Sequence, residues 1–313
     1  MRGLAEVAKG SRPTAVSIGN FDGVHRGHLA IIRRLGDHAA STGSAPTVVT
    51  FEPHPQKVLR GVAPPRLVTP ERKLRLLDEA GVEQVVVVRF DKKFSLIEPE
   101  EFIERVLVKE LSVRAVVSGP NWRFGHYARG DATMLRAFGR RLGFEFEAVR
   151  LSRLEGRQLS STEVRHAIAE GDVRWARKAL GRPHALPGRV VRGKGRGATL
   201  LGFPTANLDV AADMCFPKLG IYAGYFVTGH ERRPAAISVG TNPTFGARNP
   251  VTVEAFVLDF KGNLLGRHAE LELIERLRDE KKFPSQAALR AAMAEDVRAT
   301  RDILDQSPPH SSR

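Results

Sequence analysis

The chain has 313 residues, a formal net charge of +14, 42% hydrophobic and 27% charged residues, and one cysteine, Cys215. That length predicts two domains with sizeable cores. The single cysteine excludes an intramolecular disulfide framework. No apolar run is long enough for a bilayer and the N-terminus has no signal-peptide core, so the expectation is a cytoplasmic protein with no membrane partner. The charge suits anionic substrates or nucleic acid, and equally a basic composition that serves solubility. Lys and Arg are scattered over both halves, which argues against a dedicated nucleic-acid arm.

Residues 1–13 form a polar lead-in. From Thr14 to about residue 150, apolar runs alternate with helical patterns. Thr14–Ile18, Thr47–Phe51, Gln84–Arg89, Ala115–Ser118 and Glu145–Val149 read as strands. Leu29–Ser41, Pro70–Ala80, Pro99–Leu111 and Ala132–Leu142 read as helices. Such alternation predicts a parallel sheet with helices on both faces, and ligands at the carboxyl ends of its strands.

Ser17–His28, S-I-G-N-F-D-G-V-H-R-G-H, joins the first strand to the first helix. Gly19, Gly23 and Gly27 permit a tight turn and close approach to a ligand. Free N–H groups at the helix start make an anion site, and His25 and His28 can share one side of the first helical turn. Two imidazoles beside bare N–H groups suit a triphosphate; the alternatives are surface histidines or a zinc pair, which lacks an evident third ligand. The second strand ends in T-F-E-P-H-P, where two prolines fix a loop that projects His54, a rigid turn or part of a site. The fourth ends in S-G-P-N-W-R-F-G-H-Y-A-R-G-D, residues 118–131, where Trp122, Phe124 and Tyr127 offer ring faces and Arg123 and Arg129 charge. Aromatic faces with charged donors suit a planar heterocycle, or else anchor an ordinary loop. In L-S-S-T-E-V-R-H, residues 159–166, Ser160 or Ser161 caps a helix, with Arg165 available to phosphates. Helices over 163–170 and 173–180 then close the domain, and Gly181-Arg182-Pro183 is a linker signal.

After residue 184, short strands at Leu186–Arg192, Gly220–Thr228, Ala235–Gly240, Thr252–Leu258 and His268–Ile274 are split by Gly, Pro and Asn turns. They predict a small antiparallel barrel. A helix over Ser285–Leu304 ends the fold, and the tail from Gln306 reads as disordered. The stretch G-K-G-R-G-A-T-L-L-G-F-P-T-A-N, residues 193–207, reads as a phosphate flap or a glycine-rich hairpin, and is not a Walker A sequence. Thr205 and Asn207 alternate on one face of an extended segment, so both oxygens can reach one hard cation such as Mg2+. Glu254 shares a strand face with Phe256 and Leu258, opposite to Val253, Ala255 and Val257.

The HxGH core resembles the nucleotidyltransferase superfamily, and the longer G-N-F-D-G-V-H-R-G-H resembles the prokaryotic bifunctional riboflavin kinase/FAD synthetase family. The T-F-E-P-H-P loop, S-S-T-E-V-R, F-P-T-A-N, Val239–Gly246 and Asp279–Phe283 have counterparts in that family, so the likeness spans about residues 14–304. It implies a Rossmann-like adenylyltransferase domain over 1–183, a six-stranded riboflavin kinase barrel with a C-terminal helix over 184–305, and a tail over 306–313. It also implies ATP-dependent phosphorylation of riboflavin to FMN, then adenylylation of FMN to FAD with release of pyrophosphate. The roles it implies are catalysis by Glu254, His25, His28 and Arg165, and Mg2+ on Thr205 and Asn207. ATP binding falls to Gly19, Phe21, Asp22, Gly27, Ser160, Ser161, Thr162, Gly193, Lys194, Gly197 and Thr199, and flavin binding to His54, Asn121, Phe124 and Arg129. Two departures stand out: Asn121 where Asp is common, and Gly197–Gly202, which lacks the usual Arg and is one residue longer. The second makes a monofunctional FMN adenylyltransferase one rival reading; an RNA-binding protein on the same scaffold is the other, although no KMSKS-type loop is visible. The expected partners are riboflavin, FMN and ATP, without nucleic acid; a homo-oligomer stays open.

Overall fold

A computed structural model describes residues 12–150, 153–193, 205–241 and 251–306. The chain packs as two units, 1–161 and 162–313.

The first unit is a five-stranded parallel sheet in the order β3-β2-β1-β4-β5. Its strands are β1 (Thr14–Ile18), β2 (Ala45–Glu52), β3 (Gln84–Arg89), β4 (Val113–Ser118) and β5 (Glu145–Ala148). All five residues of β1 are buried, as a central strand covered on both faces requires. Ala15, Val48, Ala115 and Val117 on one face meet Ile32, Leu35 and Leu77 from α1 (Arg26–Thr42) and α3 (Pro70–Glu79). Val16, Ile18, Val49 and Val116 on the other meet Ile103, Val106, Leu107 and Leu135. Leu135 comes from α6 (Ala132–Leu142). Local chemistry sets the helix ends. Thr69 caps α3 with Pro70 in its first turn, Asp131 caps α6, and Gly43 closes α1 at φ 62°. A short helix, α2 (Pro55–Arg60), follows β2, another, α4 (Lys92–Ser95), follows β3, and the two-residue strands β6 (Arg153–Leu154) and β7 (Arg157–Gln158) form a small hairpin.

The segment expected as one helix over Pro99–Leu111 is a short turn, α5 (Pro99–Glu101), followed by a π-helix over Phe102–Glu110. Its wider winding shows at the exit, where the Leu111 N–H donates to the Val106 carbonyl five residues back at 3.0 Å. Phe102, Ile103, Val106 and Leu107 are all buried there.

The second unit is a closed antiparallel barrel in the order β10-β11-β12-β9-β8-β13. Its strands are β8 (His184–Val191), β9 (Thr205–Val210), β10 (Gly220–Thr228), β11 (Glu231–Thr241), β12 (Val251–Val257) and β13 (His268–Arg278). The interior is apolar, filled by Leu186, Leu208, Phe226, Ile237, Val253, Ala255 and Leu271 among others. Strands β11 and β13 run past their expected ends because outward-facing polar residues pair in the ladder as well as apolar ones. Before the barrel come α7 (Ser161–Ala169) and α8 (Val173–Leu180). Helix α8 packs on β8 and β13, Val173 joins the barrel core, and the Lys218 N–H donates to the Ile168 carbonyl at 3.2 Å. The packing boundary therefore lies ahead of this helix pair, earlier than Gly181-Arg182-Pro183. The last helix, α9 (Gln286–Asp305), is capped by Ser285. The expected tail lies, beyond Gln306, outside the described residues.

Candidate active sites

The first site begins where β1 ends. Between Gly19 and His25 the backbone turns through left-handed conformations at Phe21 (φ 48°), Gly23 (φ 80°) and Val24 (φ 38°). A left-handed non-glycine residue costs about 1–3 kcal/mol and persists only where its surroundings enforce it. Here burial enforces it: Phe21 is 3% and Val24 1% exposed. The Phe21 ring thus belongs to the core and lies 4.9 Å from the His28 ring, so what it gives the site is support for that imidazole. His25 caps α1, its Nδ1 accepting the His28 N–H at 3.3 Å. A neutral ring that accepts at Nδ1 carries its proton on Nε2, where it can donate. The two imidazoles stack 3.7 Å apart at 16°, which realises the shared side expected from their spacing. Gly27 sits in a tight space: a Cβ there would lie 3.0 Å from the His25 ring and 3.3 Å from the Leu159 carbonyl, so either neighbour would have to shift by a few tenths of an ångström. At Gly19 a Cβ would make ordinary contact with the Phe21 ring.

Asp22, expected at ATP, turns both carboxylate oxygens to the Leu67 N–H at 3.1 Å. The Ser161 hydroxyl donates to the Asp22 carbonyl at 2.9 Å. Both brace the loop. Ser160 is half-buried beside it in sequence. Thr162 is exposed and Arg165 half-buried on α7, within the second unit.

His54 stands at the end of β2. Its Nδ1 accepts the Gln56 N–H at 3.2 Å and its Nε2 lies 3.0 Å from the Asn20 amide. This pairing of the two loops was not legible in either motif. Lys73, on α3, is a further member that sequence reasoning missed. Its ammonium donates to the Asn20 carbonyl at 3.3 Å and to the Thr50 hydroxyl at 3.1 Å, and the same hydroxyl donates to that carbonyl at 3.2 Å. Burial holds the Lys73 ammonium below the usual lysine range, against the opposing pull of Asp22 and Glu52.

Rings of the 118–131 loop anchor it to the core. Trp122 and Phe124 do not offer free ring faces: they stack on each other at 4.9 Å and join Phe102 in the core, with Phe124 6% exposed. The reason is shape, since a Cβ on Gly130 would sit 2.5 Å from the Phe124 ring, and the two residues form a β-bridge that closes the loop. The exposed ring is Tyr127, at 84% exposure, with one face stacked on the His126 ring at 4.1 Å. Asn121 is exposed, and Arg129 is exposed and paired with Glu98, which also takes His126 at 3.0 Å.

The second site lies on the outside of the barrel. In the ladder Glu254 is opposite Asn207 of β9 and Ser238 of β11, while Val253, Ala255 and Val257 point inward. Thr205 and Asn207 share the outward face of β9, and the Thr205 hydroxyl donates to Glu254 Oε2 at 3.1 Å. A cavity of about 380 Å³ opens there, walled by Glu254, Phe256, Arg278 and Phe283 and roofed by Leu289 and Met293 of α9. The roof is fastened by a bidentate pair: Arg278 Nε and Nη2 reach the two Asp296 oxygens at 2.8 and 2.7 Å. Gly240 gives room to the Glu280 carboxylate, which a Cβ would approach to 2.6 Å. Gly193 serves Asn207 similarly, since a Cβ would lie 2.2 Å from its amide nitrogen. Lys194, Gly197 and Thr199 lie outside the described residues, as does most of Val239–Gly246. A hydroxyl and an amide oxygen on one face are hard, neutral donors, a set that fits Mg2+ accompanied by phosphate oxygens.

Comparison with known proteins bears on both sites. A family described as FAD synthetase matches residues 7–163, and one described as riboflavin kinase matches residues 180–304. The chain is 36% identical over 313 residues to the bifunctional riboflavin kinase/FMN adenylyltransferase of Escherichia coli (strain K12), covering 99% of both. It is 36% identical over 290 residues to that of Listeria monocytogenes, covering 91% of both. A crystal structure from Streptococcus pneumoniae described as a macrolide-efflux protein matches with TM-score 0.88 at 28% identity, covering 96% of this chain and 98% of that one. Among the described residues no helix is long and apolar enough to cross a membrane.

Proposed function

The chain belongs to the bifunctional riboflavin kinase/FMN adenylyltransferase family, and from that premise we propose how its residues divide the work. Its activity is the ATP-dependent phosphorylation of riboflavin to FMN and the adenylylation of FMN by a second ATP to FAD. The barrel carries the first step and the parallel-sheet unit the second.

In the barrel, Glu254 is the general base. A ribityl hydroxyl is a weak nucleophile and sheds its proton as its oxygen bonds to the γ-phosphorus of ATP and ADP departs. The observation that carries this role is the Thr205–Glu254 hydrogen bond, which occupies one carboxylate oxygen and leaves the other for the substrate hydroxyl. Thr205 and Asn207 would hold Mg2+. A hydroxyl donates once and keeps two lone pairs, so Thr205 can serve Glu254 and the cation together. Bound there, Mg2+ supplies neutralisation of phosphate charge.

In the first unit, the FMN phosphate attacks the α-phosphorus of ATP, a P–O bond forms, and the bond to pyrophosphate breaks. FMN phosphate is already an anion, so no base is required. Catalysis is positioning and charge stabilisation by His25, His28 and the N-terminus of α1. Ser160 and Ser161 keep their motif's assignment to the phosphates within this proposal. His54, Asn121 and Arg129 keep theirs to the flavin, and cytoplasm is the proposed location.

Incubation of the purified chain with riboflavin, ATP and Mg2+, followed by chromatography of flavins, tests the whole reading. FMN and FAD are the expected products. Recovery of neither with any divalent metal overturns it.

A further inference from the structure

Lys73 lies far in sequence from every motif yet ends beneath two of them. Its ammonium holds the Asn20 carbonyl, in the turn after β1, and the Thr50 hydroxyl, near the end of β2. Thr50 in turn donates to the same carbonyl. The side chain of Asn20 then meets His54, which begins α2. Three hydrogen bonds thus converge on one peptide carbonyl and hydroxyl, and their output is the distance between Asn20 and His54. A half-buried ammonium is costly to desolvate, and a methionine of similar length would fill the same space without that cost. A cation in this position is therefore explained by what it holds.

We propose that Lys73 is a positioning residue for adenylyl transfer, clamping the β1 turn to the β2 loop so that Asn20 and His54 stay fixed opposite each other. It touches no reacting atom and acts through His54. The inference rests on assigning adenylyl transfer to the first unit. The charged groups around the ammonium are Asp22 and Glu52, which favour its charged form, and Arg66, which opposes it. Loss of its proton leaves two N–H donors for Asn20 and Thr50 but removes the charge that strengthens both bonds. The clamp therefore slackens on the alkaline side, at lower pH than an ordinary lysine titrates.

The test uses the full chain with supplied FMN and MgATP, and riboflavin phosphorylation on the same sample as control. Lys73→Met is expected to lower kcat/KM for FMN adenylylation by about tenfold or more, mainly through KM for FMN, because Lys73 acts through His54, the residue assigned to the flavin. Phosphorylation should stay within twofold. Lys73→Arg should restore most of the loss and abolish the alkaline fall in adenylylation. Combining Lys73→Met with His54→Ala should lower activity no further than His54→Ala alone, because the two act as one unit. Full activity in Lys73→Met, or additive losses in the double variant, would overturn the proposal. Were Lys73→Met to unfold, Lys73→Arg decides: an alkaline limb identical to the parent's counts against it. A parent chain that makes no FAD strikes the family reading instead.

Discussion

The two sites use strands in opposite ways. In the parallel sheet, β1 is buried on both faces, so chemistry begins only where the strand stops, and every polar group there must be arranged by turns. The loop of residues 19–28 is accordingly dense with support, from the left-handed Phe21 and Val24 to the braces on Asp22. In the barrel the strand itself presents the chemistry. Alternation sends Val253 and Ala255 inward and Glu254 outward, and cross-strand register brings Asn207 opposite it. That site needs little bracing, but it needs a cover, and α9 supplies one. A loop-built site thus depends on many distant residues; a strand-built site depends on register and a roof.

The largest expected effect separates the two. Glu254→Gln should lower FMN synthesis by about 10²–10⁴-fold, the usual worth of a general base, while FAD synthesis from supplied FMN continues. The amide keeps the shape of the carboxylate, so thermal unfolding should move little. If both activities fell together, the division between the units would fail. Next comes His28→Ala. FAD formation should drop by about 10²-fold or more, with FMN formation intact, which chromatography of a riboflavin reaction reads directly. A near-parental FAD rate would reduce His28 to a partner for the Phe21 ring.

The roof gives a smaller effect. Asp296→Asn removes one half of a bidentate pair in which Asp296 is 7% exposed. We expect about 2 kcal/mol of destabilisation in denaturant unfolding, together with a raised KM for riboflavin and unchanged FMN adenylylation. The smallest effect lies away from both sites. Arg34, with a further hydrogen bond from His38, holds the Glu147 carboxyl below its usual range. A depressed folded value gives stability that is present above the unfolded value and lost as pH falls through the folded one. The pair is partly exposed, so Glu147→Gln should cost a few tenths of a kcal/mol at neutral pH, and nothing in acid below both values.

Much of this was legible in the sequence. Gln84–Arg89, Ala132–Leu142 and Gly220–Thr228 form the elements expected, because strong turn or cap residues bound each apolar pattern. Glu254 faces away from Val253 and Ala255 as the period of two requires. The π-helix over Phe102–Glu110 was not legible, since a helix one residue wider per turn buries the same kind of residues. The sequence marks β9 only as an extended segment, since a Pro precedes T-A-N and no run of β-branched residues signals a strand. Aromatic content at Trp122 and Phe124 was visible, but not whether the rings would meet a ligand or Phe102. Lys73 was invisible, because its partner carbonyl lies 53 positions away and no local pattern marks a side chain that serves the backbone.

Closure of the barrel bears on how such a protein can drift over time. Inserting or deleting one residue within β12 would turn Glu254 into the apolar interior, and a closed ladder has no free edge along which the strand could slip to compensate. Length changes most easily between strands, where nothing downstream changes face; within a strand it requires a register shift such as those between β10 and β13 at Ile221/Tyr222 and Ala223/Gly224. By its place in the chain the extra residue in Gly197–Gly202 falls after the end of β8 and before the start of β9, and Thr205 and Asn207 share the outward face of β9. Inheritance can edit the joints of this unit freely, while its staves accept substitutions and, where the register already shifts, a bulge.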